Sequence, residues 1–196
     1  MISEFPLQIA ALVSVLVLLV VWLLYRKSKY KKTAAYRMDK ILKPFKQDEV
    51  TEIIIPDGIG GLLEIEHLIL MEHGLLIIET YPISGNLFGS DKIDQWTQII
   101  EGRSFKFANP LRHIRNAQQA IKLLAPKVPI FCRVVFTADS HFPKGKPEEV
   151  SVLDTLTDDI TNIFGESVHR DELTQKAWER IMRIARRNGQ SVQRDI

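Results

Sequence analysis

The chain has 196 residues, 45% hydrophobic and 26% charged, a length that suits one compact domain plus an appendage. Its lone cysteine, Cys132, excludes an internal disulfide; it lies in an apolar run and reads as a small core residue in a reducing compartment. The net charge is +2, but removing five cations near the N-terminus and Glu4 leaves residues 33–196 at −2, which excludes a globally basic nucleic-acid surface.

The N-terminal segment carries the clearest physical signal. From Phe5 to Tyr25 no side chain is charged, and Gln8 and Ser14 are the strongly polar interruptions. About 20 apolar residues in a helix cross the ~30 Å hydrocarbon layer of a bilayer. A cleaved signal peptide would need a basic start, a shorter apolar core and a small-residue cleavage site. Here the start carries Glu4, and the first basic residue is Arg26. Trp22 and Tyr25 suit the membrane interface, and Arg26, Lys27, Lys29, Lys31 and Lys32 follow as a cytoplasmic, anionic-lipid-facing cluster. The expectation is an uncleaved single-pass anchor over 6–25 in the inner (plasma) membrane, N-terminus outside and C-terminal domain in the cytoplasm.

Residues 33–49 form a linking helix in this reading, with Tyr36, Met38, Ile41, Leu42 and Phe45 at helical spacing and a stop near Pro44. Next comes a core over 50–140. "VTEIII" (50–55) predicts a strand and "PDGIGG" (56–61) a turn. "LLEIEHLILM" (62–71) and "LLIIETY" (75–81) predict two strands joined through Glu72, His73 and a left-handed Gly74. Their apolar runs on both faces place them mid-sheet. "NLFG", the Trp96 segment and "SFKFA" read as short strands or loops. Asn109-Pro110 opens a helix, since Asn caps well and Pro suits the first helical position. Leu111, Ile114, Ala117, Ile121 and Leu124 line its apolar face. "PIFCRVVFT" (129–137) is a further buried strand, and "SVL" an edge strand. In the C-terminal part, 141–196, residues 157–164 and 171–188 read as helices, the second basic late with Arg180, Arg183, Arg186 and Arg187 before Gly189. The fold class is α/β, an α+β sandwich, behind one N-terminal transmembrane helix.

Chemistry concentrates on the central hairpin. A two-residue loop sets Glu66 directly opposite Glu79 on one face. Facing like charges are unfavourable across strands, so a divalent cation, a shared proton or water must relieve them. Hard oxygen ligands suit Mg²⁺. A three-residue loop takes the two acids out of register. Tyr81 shares the face of Glu79. A phenol is neutral near neutral pH and supplies no positive charge to a phosphoryl-transfer transition state. Arg112, Arg115 and Lys122 are candidates for phosphate contact, on a helix face that reads first as solvated. The five histidines, His67, His73, His113, His141 and His169, show no paired metal-ligand spacing and read as surface or packing residues. Trp96 and Phe107 read as core. The glycines of 58–61 lack the following Lys-Ser/Thr and helix of a phosphate loop.

"EIEHLIL", "GLLIIET", "SGNLFGS", "WTQ", "FANPLR" and "VPIFCRVVFT", in this order over residues 50–137, resemble the NERD (nuclease-related) domain family. The resemblance implies a restriction-endonuclease-like fold and a nuclease site using Mg²⁺ or Mn²⁺ on DNA. It also implies an Asp-His pair where this chain has Glu66-His67, and Glu-Thr-Lys or Glu-Val-Lys where it has Glu79-Thr80-Tyr81. An acid is implied in the preceding helix, at Ala35, with Asp39 a poor substitute one turn on. After "NPLR" the resemblance implies Gln and, four residues later, His, where this chain has His113 and Ala117. The expected catalytic set is therefore a degenerate one, Glu66, Glu79 and Tyr81, with Glu66 and Glu79 as weak metal ligands. The expected function is a membrane-anchored binding or scaffolding module with an unidentified protein partner. The alternative is a metal-dependent nuclease acting on DNA near the membrane.

Overall fold

The computed structural model describes residues 33–164 and 171–187, together with Leu18. The expected span over 6–25 and its basic flank lie outside the described residues, Leu18 excepted, as does Gly189. Among the described residues no helix is long and apolar enough to cross a membrane.

The chain divides into two compact units, residues 1–40 and 41–196. The first contains the start of helix α1 (Ala34–Leu42). Thr33 holds its first turn: the Tyr36 amide donates to Thr33 Oγ1 at 3.3 Å and the Arg37 amide to the Thr33 carbonyl at 3.1 Å. The expected linking helix thus ends at Leu42, and residues 46–49 belong to a strand instead. An acidic, β-branched sequence (Lys46–Thr51) with paired neighbours extends the strand backwards past the apolar run that announced it.

The second unit is a mixed α+β structure. Among the described residues its larger sheet contains β1 (Lys46–Pro56), β2 (Leu62–Met71), β3 (Gly74–Tyr81), β7 (Ile130–Phe136), β9 (Val150–Val152) and β10 (Arg186–Arg187). The spatial order is β10-β1-β2-β3-β7-β9. The first four of these pair antiparallel, whereas β3-β7 and β7-β9 are parallel. The two long apolar strands therefore sit mid-sheet, as their two-sided hydrophobicity predicts, and Leu75 through Ile78 are each 0% exposed. Arg186 and Arg187 are an exception to expectation. They pair with Ile54 and Ile53 as a short edge strand instead of ending a helix.

A second sheet, in the order β6-β5-β4-β8, is built from β4 (Gly85–Phe88), β5 (Gln95–Ile100), β6 (Arg103–Ala108) and β8 (Ser140–His141). Trp96, fully buried, stacks on Phe136 of β7 with centroids 6.2 Å apart, so an aromatic cluster joins the two sheets. Between β6 and β7 runs helix α2 (Pro110–Leu124), which buries Leu111, Ile114, Ala117 and Ile121 together with Pro110 and Ala120. Helices α3 (Leu156–Phe164) and α4 (Asp171–Ile184) complete the unit, and Ala177, Trp178 and Ile181 of α4 share the core that α2 covers. Cys132 is buried in it, and burial pushes its thiol up to about 12, so it is a packing residue.

The β2-β3 turn settles the register. Met71 pairs with Gly74 and His67 with Ile78, so the loop is the two residues Glu72 and His73. Gly74 is close to extended at φ +158°, not left-handed. Its need for glycine is the approach of the Pro129 carbonyl oxygen, which a Cβ would meet at 2.5 Å.

Candidate functional site

The hairpin register has a direct chemical consequence. Continuing it by one position sets Glu66 opposite Glu79. On the other side of β2, Thr51 pairs with His67 and Ile53 with Ile65, so Glu52 falls opposite Glu66. Three glutamates from three adjacent strands thus stand in one row. Neither Glu52–Glu66 nor Glu66–Glu79 is a Cα pair: the β1–β2 ladder skips that position and resumes at Ile53–Ile65, and the β2–β3 ladder ends at His67–Ile78. Glu52 itself adopts φ +54°, a left-handed conformation that costs a non-glycine residue roughly 1–2 kcal/mol. Such strain clusters at functional sites.

Over this row lies a cavity of about 310 Å³, lined by Glu52, Glu64, Glu66, Glu79, Thr80, Tyr81 and His113. The N-terminus of α2 forms its far wall. Asn109 fixes that terminus: its Oδ1 accepts from the Leu111 amide at 2.9 Å, and its Nδ2 donates to the Ile93 and Ser90 carbonyls at 2.7 and 3.1 Å. One turn on, His113 Nδ1 hydrogen-bonds to Glu79 Oε1. The Glu79 side chain is only 6% exposed, so this contact satisfies a buried carboxylate. The Glu79 hydrogen bond, against the opposing effect of burial, raises the His113 imidazole above its ordinary range.

Glu66 is satisfied differently. Beyond the last Cα pair of the hairpin the strands part, and the Glu66 carboxylate turns toward Thr80. Its Oε2 accepts from the Thr80 amide at 2.6 Å and its Oε1 from the Thr80 hydroxyl at 2.5 Å. Burial alone would raise the Glu66 carboxyl, but hydrogen bonds from His67 and Thr80 outweigh it and hold the group below the usual range. His67 also donates through Nδ1 to the Glu49 carboxylate at 2.8 Å, and its Nε2 lies 3.6 Å from Glu66. Facing carboxylates are therefore relieved by protein donors.

Tyr81 stands where the sequence placed it, on the cavity wall with Glu79, its ring 5.7 Å from Phe136. Burial first, then the Glu79 and Glu66 charges, push its phenol up to about 12. It stays neutral and can donate one hydrogen bond. The catalytic trio expected from sequence is thus brought together. The phosphate candidates are not part of it. Arg112 pairs with Asp94, and Arg115 donates to Glu149 at 2.7 Å and lines a separate recess of about 500 Å³. That larger recess is lined by three acids and three cations, with Arg115 paired to Glu149 and Lys146 to Asp159. Lys122 lies in the last turn of α2. Ala35 and Asp39 belong to α1, in the N-terminal unit.

Four cavity residues escaped the sequence reading: Glu52, Glu64 and, as partners of the carboxylates, Thr80 and His113. The Glu64-Ile65-Glu66 alternation was a usable signal, since it sets two acids on one face of an otherwise apolar strand. Glu52 offered none, because its role depends on a positive φ.

The donor set does not fit a divalent metal as it stands. Both Glu66 oxygens accept from Thr80, Glu79 Oε1 is taken by His113, and among the described residues no three His, Cys, Asp or Glu side chains converge closely enough to hold an ion.

Comparison with known proteins places the chain in a family. A family model described as "Nuclease-related domain" (NERD) matches residues 27–137. An uncharacterised protein of Bacillus anthracis is 27% identical over 104 residues, covering 51% of this chain and 49% of its own, so the chain spans about half the length of that relative. No solved structure matches. With the matched region running across the row of glutamates, the cavity and the α2 wall, the chain belongs to the nuclease-related domain (NERD) family.

Proposed function

We propose that this protein is a membrane-held nuclease-related module that binds a partner and does not cut nucleic acid. The observation that carries the reading is Tyr81 on the cavity wall beside Glu79, where the family resemblance implies a lysine. Its phenol, pushed up to about 12, offers no positive charge to an attacking water or a developing phosphate charge. Loss of one such electrostatic contact typically costs on the order of 10²–10³ in rate. The four glutamates around the cavity add negative charge that repels a phosphodiester. The membrane placement rests on the uncharged run from Phe5 to Tyr25 and the cations Arg26, Lys27, Lys29, Lys31 and Lys32. It puts the domain at the inner face of the membrane, near anionic lipid and a protein partner.

The second reading, a Mg²⁺- or Mn²⁺-dependent nuclease on DNA near the membrane, draws on Glu52 and Glu64. They bring two further carboxylates to the cavity and stand in for the acid the linking helix lacks. Cleavage of a linear duplex by the full chain with Mg²⁺ and Mn²⁺ separates the two. We expect silence from the wild type and at most partial activity from Tyr81→Lys. Robust wild-type cleavage abolished by Glu79→Ala would overturn the binding reading. For topology, a cysteine engineered near residue 190 should resist labelling from outside intact cells. Efficient labelling there would reverse the orientation.

A further inference from the structure

We propose that His113 is a latch that closes this cavity to divalent metal. The inference rests on the degenerate-site reading and goes past it, because it names the side chain that keeps the carboxylates from acting as ligands. Glu79 is the most deeply buried acid of the row, and its Oε1 already carries the His113 ring at hydrogen-bonding distance. A cation on that oxygen at ~2.1 Å would occupy the position of the Nδ1 proton. A ring that is protonated repels the ion, and a ring that is neutral still blocks it. Glu66 cannot compensate, because Thr80 donates to both of its oxygens. Glu52 and Glu64 line the same cavity and are exposed. They supply charge without reaching the buried oxygen.

His113 is held in place by construction. It lies one turn into α2, whose start is fixed by Asn109 to the Ser90 and Ile93 carbonyls. The cap therefore fixes the backbone position from which the ring reaches Glu79. Its side chain is 47% exposed, so shortening it opens the cavity without emptying the core. Removing it would leave Glu79 buried beside Glu52, Glu64 and Glu66 with the neutral Tyr81 phenol as donor in place of the imidazole, an arrangement that recruits a cation.

Calorimetric titration of Mn²⁺ into the full chain in mild detergent tests this, with thermal unfolding with and without Mn²⁺ as a second readout. The wild type should give no saturable binding. His113→Ala and the shorter polar His113→Asn should each bind one Mn²⁺ at least about ten-fold more tightly than the wild type, the size of effect that ligand-orienting partners have on metal affinity. Both should gain a Mn²⁺-dependent rise in Tm, and Glu79→Gln in the His113→Ala background should remove it. One Mn²⁺ bound by the wild type as tightly as by the variants overturns the latch, even if the wild type does not cleave DNA. Folded His113 variants that stay as blank as the wild type overturn it too. Cleavage by the wild type would instead overturn the binding-module reading.

Discussion

The two halves of the β2-β3 hairpin obey different rules. In the half next to the turn, Leu68 through Met71 face Leu75 through Ile77 and Gly74 in unbroken register, and every side chain is buried. In the other half, from Glu64 to Glu66 and from Glu79 to Tyr81, the ladder stops, the strands part and polar side chains take the backbone's place as acceptors. The same two strands carry both halves. Each strand stays paired on its outer side, β2 to β1 and β3 to β7, while the seam between them opens and holds the polar side chains. A site of this kind is cheap to change, since a lysine exchanged for Tyr81 alters chemistry while the apolar half keeps the fold.

Stability should divide along the same line. Ile77→Ala, in the paired half, should cost about 2–5 kcal/mol, because it removes a fully buried side chain and leaves a cavity. Glu64→Gln, in the open half, should stay within about 0.5 kcal/mol as an exposed substitution. Equilibrium unfolding in urea reads both. Similar losses at the two positions would erase the distinction.

The turn that closes the paired half is the next test. Gly74→Ala would set a Cβ 2.5 Å from the Pro129 carbonyl oxygen and 3.1 Å from the Pro129 Cβ. Backbone cannot give way as a flexible side chain does, so a loss of about 1–3 kcal/mol is expected from the same unfolding measurement. A neutral result would mean that β3 and the segment before β7 are not held as closely as the apolar half requires.

The apolar half was legible in the sequence, and the polar half only in part. Four consecutive apolar residues, Leu75 to Ile78, need cover on both sides, and that alone places β3 inside a sheet. Asn109-Pro110 fixed the start of α2 through cap chemistry. The Glu66-Glu79 opposition followed from one of two loop lengths that the sequence left open, and the Met71–Gly74 pairing decides for the two-residue loop. The second sheet was harder, because strands of four and six residues with mixed polarity leave no clear period. Arg186 and Arg187 misled because late cations complement a helix dipole, and nothing local reveals that they pair with Ile54 and Ile53. His113 was passed over because a lone histidine on a helix is ordinarily a surface residue. Its partner lies 34 positions away, on a different element.

Relief of strain should sharpen the contrast in the opposite sense. Glu52→Gly removes the left-handed penalty at φ +54° and one charge of the row, so it should stabilise the protein by about 1 kcal/mol. Most substitutions destabilise, which makes the sign of this one informative. A loss on urea unfolding would mean that Glu52 is held by contacts that outweigh its backbone cost.

The smallest expected effect lies at the junction of the two halves, where His67 touches both Glu49 and Glu66. Burial would lower the imidazole, but the two carboxylates outweigh burial and raise it above its ordinary 6.5. Glu66 and Glu49 resist burial in the opposite sense and fall below their ordinary 4.5. A raised histidine contributes stability that is fully present below its unfolded value and is lost as pH rises through its folded value. Lowered carboxyls contribute stability that is present above their unfolded value and is lost as pH falls through their folded value. The network is therefore strongest between 4.5 and 6.5. The Glu66 side chain is 39% exposed, so solvent screening keeps the contribution of the pair under about 1 kcal/mol. His67→Gln should lower stability measurably at about pH 5.5 and by less at about pH 8.5, because the ring's contribution is lost as pH rises through its raised folded value. Urea unfolding at both values gives the comparison. A deficit that is unchanged or larger at the higher pH would show that His67 acts by shape alone, and the junction would then belong to the apolar half.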